Sequence, residues 1–461
     1  VLDGVDSPAA AAILAFFDSW EPDRAAEHPA LAGIYDEVTG AANLVFRADG
    51  LFAQKDEKIR EAWRKYQAGR DEGERMQCLV TGEEEPIPAI HPAIKGVRGA
   101  QSTGAALVSF NAPAFCSYGH EQNLNAPVGE YASFAYTSAL NYLLANRNAV
   151  RQAGDSTVVC WAEGAEPEYG DMALSVLFGG EPEGFSEDDL YSALKRLAKG
   201  LPCNGLSPDR TFYVLGLAPN SARLSVRFFL RDSFGAMMRS VNEHYGRLEI
   251  VHPSFVEQKY LSVTRLLRET VNENTRDKAP SPAMSGAVMR AILSGERYPA
   301  SLLETVMLRI RAERKITWGR AAIIKAYYLR NKNPDCPEEV LTVSLNEKST
   351  NTAYTLGRLF AVYEAVQQDA NPGINTTIKD RFFNSASAAP ASIFPILGNL
   401  YQKHLRKLDI GRRIAYDRQV TELKGLLGES YPARMNLAQQ GSFDLGYYHQ
   451  TQKRYTKKEE Q

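Results

Sequence analysis

The sequence predicts an α+β protein: a mixed α/β body over residues 1–283, then an all-α helical bundle over residues 284–461. The first observation behind this is where the strand signals lie. Runs such as Thr157-Val-Val-Cys-Trp161 and Ala222-Arg-Leu-Ser-Val-Arg-Phe228 fall before residue 272. Beyond it, strand signals almost vanish and apolar residues recur at helical spacing. The second is the polar stretch 272–286, which holds Pro280, Pro282 and Gly286 and reads as a linker. The third is charge. Residues 284–461 carry 26 Lys and Arg against 17 Asp and Glu, net +9, which leaves 27 against 38, net −11, for residues 1–283. The overall −2 thus hides an acidic body and a basic bundle, an asymmetry that points to a polyanion partner for the bundle.

In chain order, residues 9–20 predict a short helix, residues 43–47 a strand and residues 56–70 a charged helix. Prolines make residues 82–92 a loop. Residues 105–110 read as a buried strand, 131–146 as an Ala- and Leu-rich periodic helix, 157–161 as a strand and 188–199 as a helix. Residues 211–217 and 222–228 form a hairpin around Ala-Pro-Asn-Ser. Its second arm alternates Arg223, Ser225 and Arg227 on a wet face with Leu224, Val226 and Phe228 on a core face. In the bundle, Ser301-Leu-Leu-Glu304 is a capping box. It opens a helix with the stripe Leu302, Leu303, Val306, Met307 and Ile310, while Arg309, Arg311, Arg314 and Lys315 lie largely off that stripe. Leu356, Leu359, Phe360, Tyr363 and Val366 repeat the pattern, as do Ile393, Leu397, Leu400, Tyr401 and His404. Several such helices with polar connections make a bundle.

Composition restricts function. A chain of 461 residues with 44% hydrophobic and 23% charged content is a globular protein with a large core. Its cysteines, Cys78, Cys116, Cys160, Cys203 and Cys336, are odd in number and form no Cys-x-x-Cys pair, which reads as reduced thiols in a cytoplasmic protein. The apolar run at residues 9–17 follows Asp3 and Asp6 without a basic lead, so it does not read as a signal peptide. No stretch approaches the roughly 18 apolar residues of a membrane helix, so no membrane partner is expected. There is no phosphate-binding Gly-x-x-x-x-Gly-Lys-Ser/Thr loop. The seven histidines are scattered, and His120-Glu121 lacks the second histidine of a zinc protease helix. No metal, no cofactor and no catalytic residue is therefore assigned. The nearest approach to an enzyme motif is Gly99-Ala-Gln-Ser-Thr-Gly104, in which Ala100 stands where a nucleophile elbow needs glycine. Ser102 as the nucleophile of a serine hydrolase is the competing reading, against Ser102 as a turn residue bonded to nearby backbone.

Two segments have the composition of a nucleic-acid contact. Residues 371–390 read as a polar loop holding Asn375, Lys379, Arg381, Phe382 and Phe383. On an extended loop, Lys379 and Arg381 point the same way with Asp380 opposite. Cations and amides grip phosphate oxygens and aromatic faces stack bases; the phenylalanines equally serve as anchors, and the loop as a solvated one. In Lys95-Gly-Val-Arg-Gly-Ala-Gln-Ser-Thr-Gly104, glycines beside Lys95, Arg98, Gln101 and Ser102 let backbone approach a ligand. Asn111 and the amide-rich segment 117–127, with Tyr118, Asn123 and Asn125, follow. Asn and Gln read adenine edges and Arg reads guanine; the same amides also cap backbone groups in a purely structural loop.

Several blocks of the sequence resemble the large subunit of type I-C CRISPR surveillance complexes. They are Gly96-Val-Arg-Gly-Ala-Gln-Ser102, Val108-Ser-Phe-Asn111, Ser117-Tyr-Gly119 and Asn125-Ala-Pro-Val128 near the start. Near the end are Arg320-Ala-Ala-Ile-Ile-Lys-Ala326, Gly357-Arg-Leu-Phe-Ala-Val362, Asp369-Ala-Asn-Pro-Gly-Ile-Asn375, Ser385-Ala-Ser-Ala388, Gly446-Tyr-Tyr-His449 and Tyr455-Thr-Lys-Lys458. Members of that family carry a further segment ahead of the part matched here. The resemblance implies a non-catalytic protein that recognises a protospacer-adjacent motif in duplex DNA and helps form the R-loop. Its bundle, similar to a CRISPR small subunit, lines the path of the displaced strand. The implied partners are guide CRISPR RNA, double- and single-stranded target DNA, the backbone, RNA-processing and small subunits, and a recruited helicase-nuclease. Composition and resemblance together assign nucleic-acid contacts to Lys95, Arg98, Gln101, Ser102, Asn111, Tyr118, Asn123, Asn125, Arg320, Lys325, Arg358, Asn375, Lys379, Arg381, Lys457 and Lys458. A free-standing RNA-binding scaffold is a third reading.

Overall fold

Ser7 starts the first helix as its sequence dictates: its Oγ accepts from the Ala9 and Ala10 N–H groups, and Pro8 takes the first helical position, where a missing N–H costs nothing. The computed structural model describes residues 1–40, 44–68, 74–146, 149–164, 166–180, 186–256, 258, 260–276 and 278–459, with side chains except at 67, 68 and 456–459. The chain divides into two units, residues 1–91 with 109–135, and residues 92–108 with 136–461.

In the first unit, α1 (Pro8–Ser19) is tied to the start of α3 (Glu57–Ala68) by the Ser7 hydroxyl, which donates to Asp56 Oδ2 at 2.6 Å. Between them lie α2 (Tyr35–Thr39) and a two-residue hairpin of β1 (Arg47–Ala48) and β2 (Leu51–Phe52). The strand expected over residues 43–47 is therefore reduced to its last residue; residue 43 lies outside the described residues. The 82–92 segment contributes β4 (Glu84–Pro86), paired antiparallel with β3 (Arg75–Gln77). The unit ends in the first turns of α4 (Glu130–Ala145).

The second unit is built on an antiparallel sheet of order β5 (Val150–Ala153), β6 (Ser156–Ala162), β7 (Thr211–Asn220), β8 (Arg223–Ser233). Both faces of this sheet pack. Val158, Cys160, Phe212, Val214 and Phe228 join the larger core, with α5 (Pro167–Phe178), α6 (Glu187–Ala198), α7 (Phe234–Leu248) and α8 (Val263–Arg268). Val159, Leu217 and Leu224 join a smaller core with Ile94, Val97, Ala105, Leu140 and Leu144. The expected strand over 105–110 is absent: Ala105 pairs singly with Ile94 and Ala106 singly with Arg223. Strict alternation along β8 also fails, for a physical reason. Gly216 pairs with Phe228 and Leu217 with Val226, so Arg227 is an extra residue. That bulge reverses the side-chain parity. Leu224 and Phe228 are buried in different cores, and Val226, expected inside, is 50% exposed.

From residue 282 onward the described residues form helices: α9 (Pro282–Ser294), α10 (Ala300–Glu313), α11 (Trp318–Asn331), α12 (Thr352–Ala370), α13 (Ile378–Ala388), α14 (Pro390–Leu405), α15 (Ile410–Gly425) and α16 (Leu437–Glu459). The fold is α+β, with mixed structure first and helices last. The stripes at 302–310 and 356–366 are buried. The expected division at residues 283 and 284 falls inside α9, and one core runs from Ala153 through it to Tyr448. Ser301 is not an N-cap: α10 already begins at Ala300, with Pro299 before it. Among the described residues, no helix is long and apolar enough to cross a membrane, and no group of three His, Cys, Asp or Glu is placed to hold a metal ion.

Candidate nucleic-acid interface

In the second unit, residues 94–105 form a closed loop. Ile94 and Ala105 exchange both backbone hydrogen bonds at its base, 3.0 and 2.9 Å. Ile94 and Val97 are buried and anchor it. The Lys95 N–H donates to Asn141 Oδ1 at 2.8 Å, and the Arg98 N–H to Thr157 Oγ1 at 3.1 Å. Asn141 completes the clamp by donating to the Ala93 carbonyl at 3.0 Å. With its backbone spent inward, the loop turns the side chains of Lys95, Arg98, Gln101 and Ser102 to solvent. Ser102 sits inside the turn closed by the Gly104 N–H on the Gln101 carbonyl, 3.0 Å. The arrangement is a pinned base with solvated polar heads, the geometry that suits reading of phosphates and base edges.

In the first unit, the amide segment mostly serves itself. Asn123 is 1% exposed and donates to the Pro88 carbonyl at 3.0 Å, so its expected nucleic-acid contact is corrected to a structural one. Asn125 accepts from the Ser117 N–H at 2.7 Å and donates to the His120 and Gln122 carbonyls, closing the loop that contains Tyr118. Tyr118 itself is 99% exposed with φ of 55°, so its ring is held wholly in solvent. Asn111 is exposed.

Three expected contacts in the helical part are withdrawn from the surface. Arg320 pairs with Glu313 at 2.6 Å and Glu269 at 3.4 Å and donates to the Lys315 carbonyl. Lys325 donates to the Arg247 carbonyl at 3.0 Å, and burial pulls its ammonium down to about 8. Arg358 donates to Gln450 Oε1 and to the Asn346 and Glu347 carbonyls, and burial lowers its pKa as well. All three are buried. A cation inside a protein must find acceptors there, and these have done so.

The 371–390 segment is a loop only as far as Thr377; Ile378–Ala388 are helical. Thr377 and Asp380 form a capping box that opens α13, a local signal that the polar composition of the segment obscures. Two helical residues are about 200° apart, so Lys379 and Arg381 do not point the same way. The Lys379 ammonium lies 4.5 Å from the Tyr447 ring centroid, half-buried, and burial lowers its pKa. Arg381 is exposed, with its guanidinium 5.0 Å from the Phe382 ring. Phe383 is buried against Phe360 and Phe443, so of the two phenylalanines it is the anchor. Asn375 is exposed; Lys457 and Lys458 fall in α16, where their side chains lie outside the described residues.

A denser run of exposed cations lies further along the helical part. Lys403, Arg406 and Lys407 at the end of α14, and Arg412, Arg413 and Arg418 on α15, are all exposed, with Asp409 and Asp417 among them. Lys407 bonds Asn371 Oδ1 at 2.9 Å, and Arg412 pairs with Asp409 at 3.3 Å. The signal was present in sequence, as six bases against two acids in sixteen residues, 403–418. That stretch holds one glycine, Gly411, and none of the amides that mark the other segments.

The family model described as CRISPR-associated protein (Cas_Csd1) matches residues 1–455. The chain belongs to the Cas_Csd1 family. No curated protein matches it. Membership makes it a CRISPR-associated large subunit of the type I-C surveillance complex, in agreement with the blocks quoted above. Two of those blocks now have a physical reason in this Cas_Csd1 chain. Gly357 on α12 lies against the Phe443 carbonyl of α16, and Gly446 on α16 lies against the Tyr354 carbonyl of α12, so the two helices cross where neither carries a side chain.

Proposed function

We propose that this chain engages target DNA within its RNA-guided complex without catalysing a reaction. In this reading the 94–105 loop tests duplex DNA for the protospacer-adjacent motif, and the cations of α14 and α15 hold the displaced strand through its phosphates. Guide pairing supplies sequence specificity while protein groups read the short motif and backbone shape. The helicase-nuclease that cuts is then recruited to the opened target. The observation that carries the reading is the loop, whose backbone is pinned at Ile94, Lys95, Arg98 and Ala105 while its polar side chains stay in solvent.

Arg98→Ala or Gln101→Ala is expected to weaken binding of the assembled complex to duplex targets more than to targets already opened as a bubble. The expected loss is about 1–3 kcal/mol per base-reading side chain, with little change in stability because both residues are exposed. Equal losses on both targets would remove the loop from duplex sensing. The second arm replaces Arg406, Lys407, Arg412 and Arg413 together by glutamine. The log–log salt dependence of binding to single-stranded DNA should flatten by about 0.7 for each phosphate that is no longer neutralised. An unchanged slope places the displaced strand on another surface.

A further inference from the structure

The sheet of the second unit carries an aromatic cluster that the proposed contacts leave unused. The register sets Trp161 on β6 opposite Tyr213 on β7, and Tyr213 opposite Arg231 on β8; two pairs further along, Leu215 lies opposite Phe229. Alternate residues share a face, so Trp161, Tyr213, Phe229 and Arg231 lie together. The bulge at Arg227 makes this possible: if Arg227 paired in unbroken register, Phe229 would lie opposite Val214, on the opposite face from Val226. The rings are close to parallel. Trp161 and Tyr213 are 5.2 Å apart at 10°, Tyr213 and Phe229 6.2 Å at 20°, and Trp161 and Phe229 6.3 Å at 30°. The Arg231 guanidinium lies 5.9 Å from the Tyr213 ring. Phe229 is 55% exposed and Val226 beside it 50%, while Trp161 and Tyr213 are half-buried.

The same face continues into the smaller core. Val159, Leu217 and Leu224 on it pack with Ile94, Val97 and Ala105 of the 94–105 loop. Across the bulge, Leu224 and Phe229 lie opposite Pro219 and Leu215, four residues apart on β7, about 13 Å at strand rise. A ligand leaving the loop along this face therefore meets the rings next. Charged groups near this face include Glu163, just past Trp161 and exposed, the Arg210–Glu166 pair at 2.8 Å, and Arg227, paired with Asp155 at 2.8 Å.

We propose that Trp161, Tyr213 and Phe229, with Arg231, form a stacking site for unpaired bases of single-stranded nucleic acid. Every base has a π-face, so parallel rings with an adjacent guanidinium bind a strand without regard to its sequence. Arg231 supplies the cation for a neighbouring phosphate or for cation–π contact with a base. The site rests on the reading of this chain as a DNA-engaging subunit and adds to it a surface that grips bases, where the α14 and α15 cations grip phosphates.

The test measures binding of the full chain to a short oligothymidylate and to a base-free strand of the same length and charge. Stacking predicts that the base-free strand binds about tenfold more weakly. Phe229→Ala should lower oligothymidylate affinity about tenfold and leave the base-free strand unaffected, with Phe229→Tyr close to the parent. Light-induced crosslinking from bromodeoxyuridine to a peptide holding Tyr213 or Phe229 should occur in the unaltered protein, which keeps the test independent of folding in any variant. Equal binding of both strands, or crosslinks confined to other peptides, overturns the site while leaving phosphate binding intact. Loss of copurifying subunits from Phe229→Ala at unchanged oligothymidylate affinity overturns it in favour of a protein-docking face. No binding of either strand by the parent chain overturns the functional reading itself, and the site with it.

Discussion

Arg320→Ala is expected to destabilise the protein by about 3–5 kcal/mol, the loss that follows when one partner of a buried ion pair is removed. Arg320 is 4% exposed and lies between Glu313 and Glu269. Removing it leaves both carboxylates poorly paired: Glu313 keeps Arg309 at 3.9 Å and Glu269 keeps the Thr317 hydroxyl at 2.7 Å. Burial already raises the Glu269 pKa, with the Thr317 hydroxyl and then the Arg320 charge opposing that rise, so without the guanidinium the carboxylate moves further towards its neutral form. Urea unfolding followed by circular dichroism measures the loss. Adding Glu269→Gln and Glu313→Gln to Arg320→Ala should recover a large part of it, because the poorly paired charges are gone. Surface and interior roles separate cleanly here. If Arg320→Ala unfolds at the parent's urea midpoint while DNA binding falls, the residue is a DNA contact after all.

Gly357→Ala and Gly446→Ala should each cost about 1–3 kcal/mol by overpacking, reduced by up to about 1 kcal/mol of helix propensity gained. A Cβ at residue 357 falls on the Phe443 carbonyl, and one at 446 on the Tyr354 carbonyl. Both obstacles are backbone, so no side-chain rotation relieves them; α12 and α16 must move apart. That separation also disturbs Tyr447, which donates to Glu364 at 2.6 Å, and with it the seat of Lys379. Gly398→Ala on α14 provides the contrast. Nothing lies within 4 Å of the Cβ position there, and propensity alone should stabilise by up to about 1 kcal/mol. Thermal unfolding of the three variants decides. A Gly357→Ala protein at least as stable as the parent means that the helices have slack at their crossing, and the glycines then need another explanation.

Local signals account for what the sequence by itself determined. The apolar stripe from Leu302 to Ile310 and the hairpin of β7 and β8 follow from periods of 3.6 and 2, which neighbouring residues carry without help from the rest of the chain. The basic character of the last part follows from counting. The 94–105 loop was visible because its glycines and cations are adjacent. The Thr377-Asp380 capping box was equally local, but it was hidden inside a segment whose hydroxyls and amides also describe a loop.

Tertiary structure alone decided which charges meet water. Arg320, Lys325 and Arg358 look no different in sequence from Arg406, Arg412 and Arg413. The first three are buried because acceptors from distant residues converge on them: Glu269 on Arg320, the Arg247 carbonyl on Lys325, Gln450 on Arg358. The second three have no such enclosure and are exposed. The aromatic cluster of Trp161, Tyr213 and Phe229 depends in the same way on a single bulge, since one inserted residue reverses every side chain beyond it. Pattern within a segment is set by its own residues. The side of a charge or a ring that faces solvent is set by what packs against it, and that information is held in residues fifty to two hundred positions away.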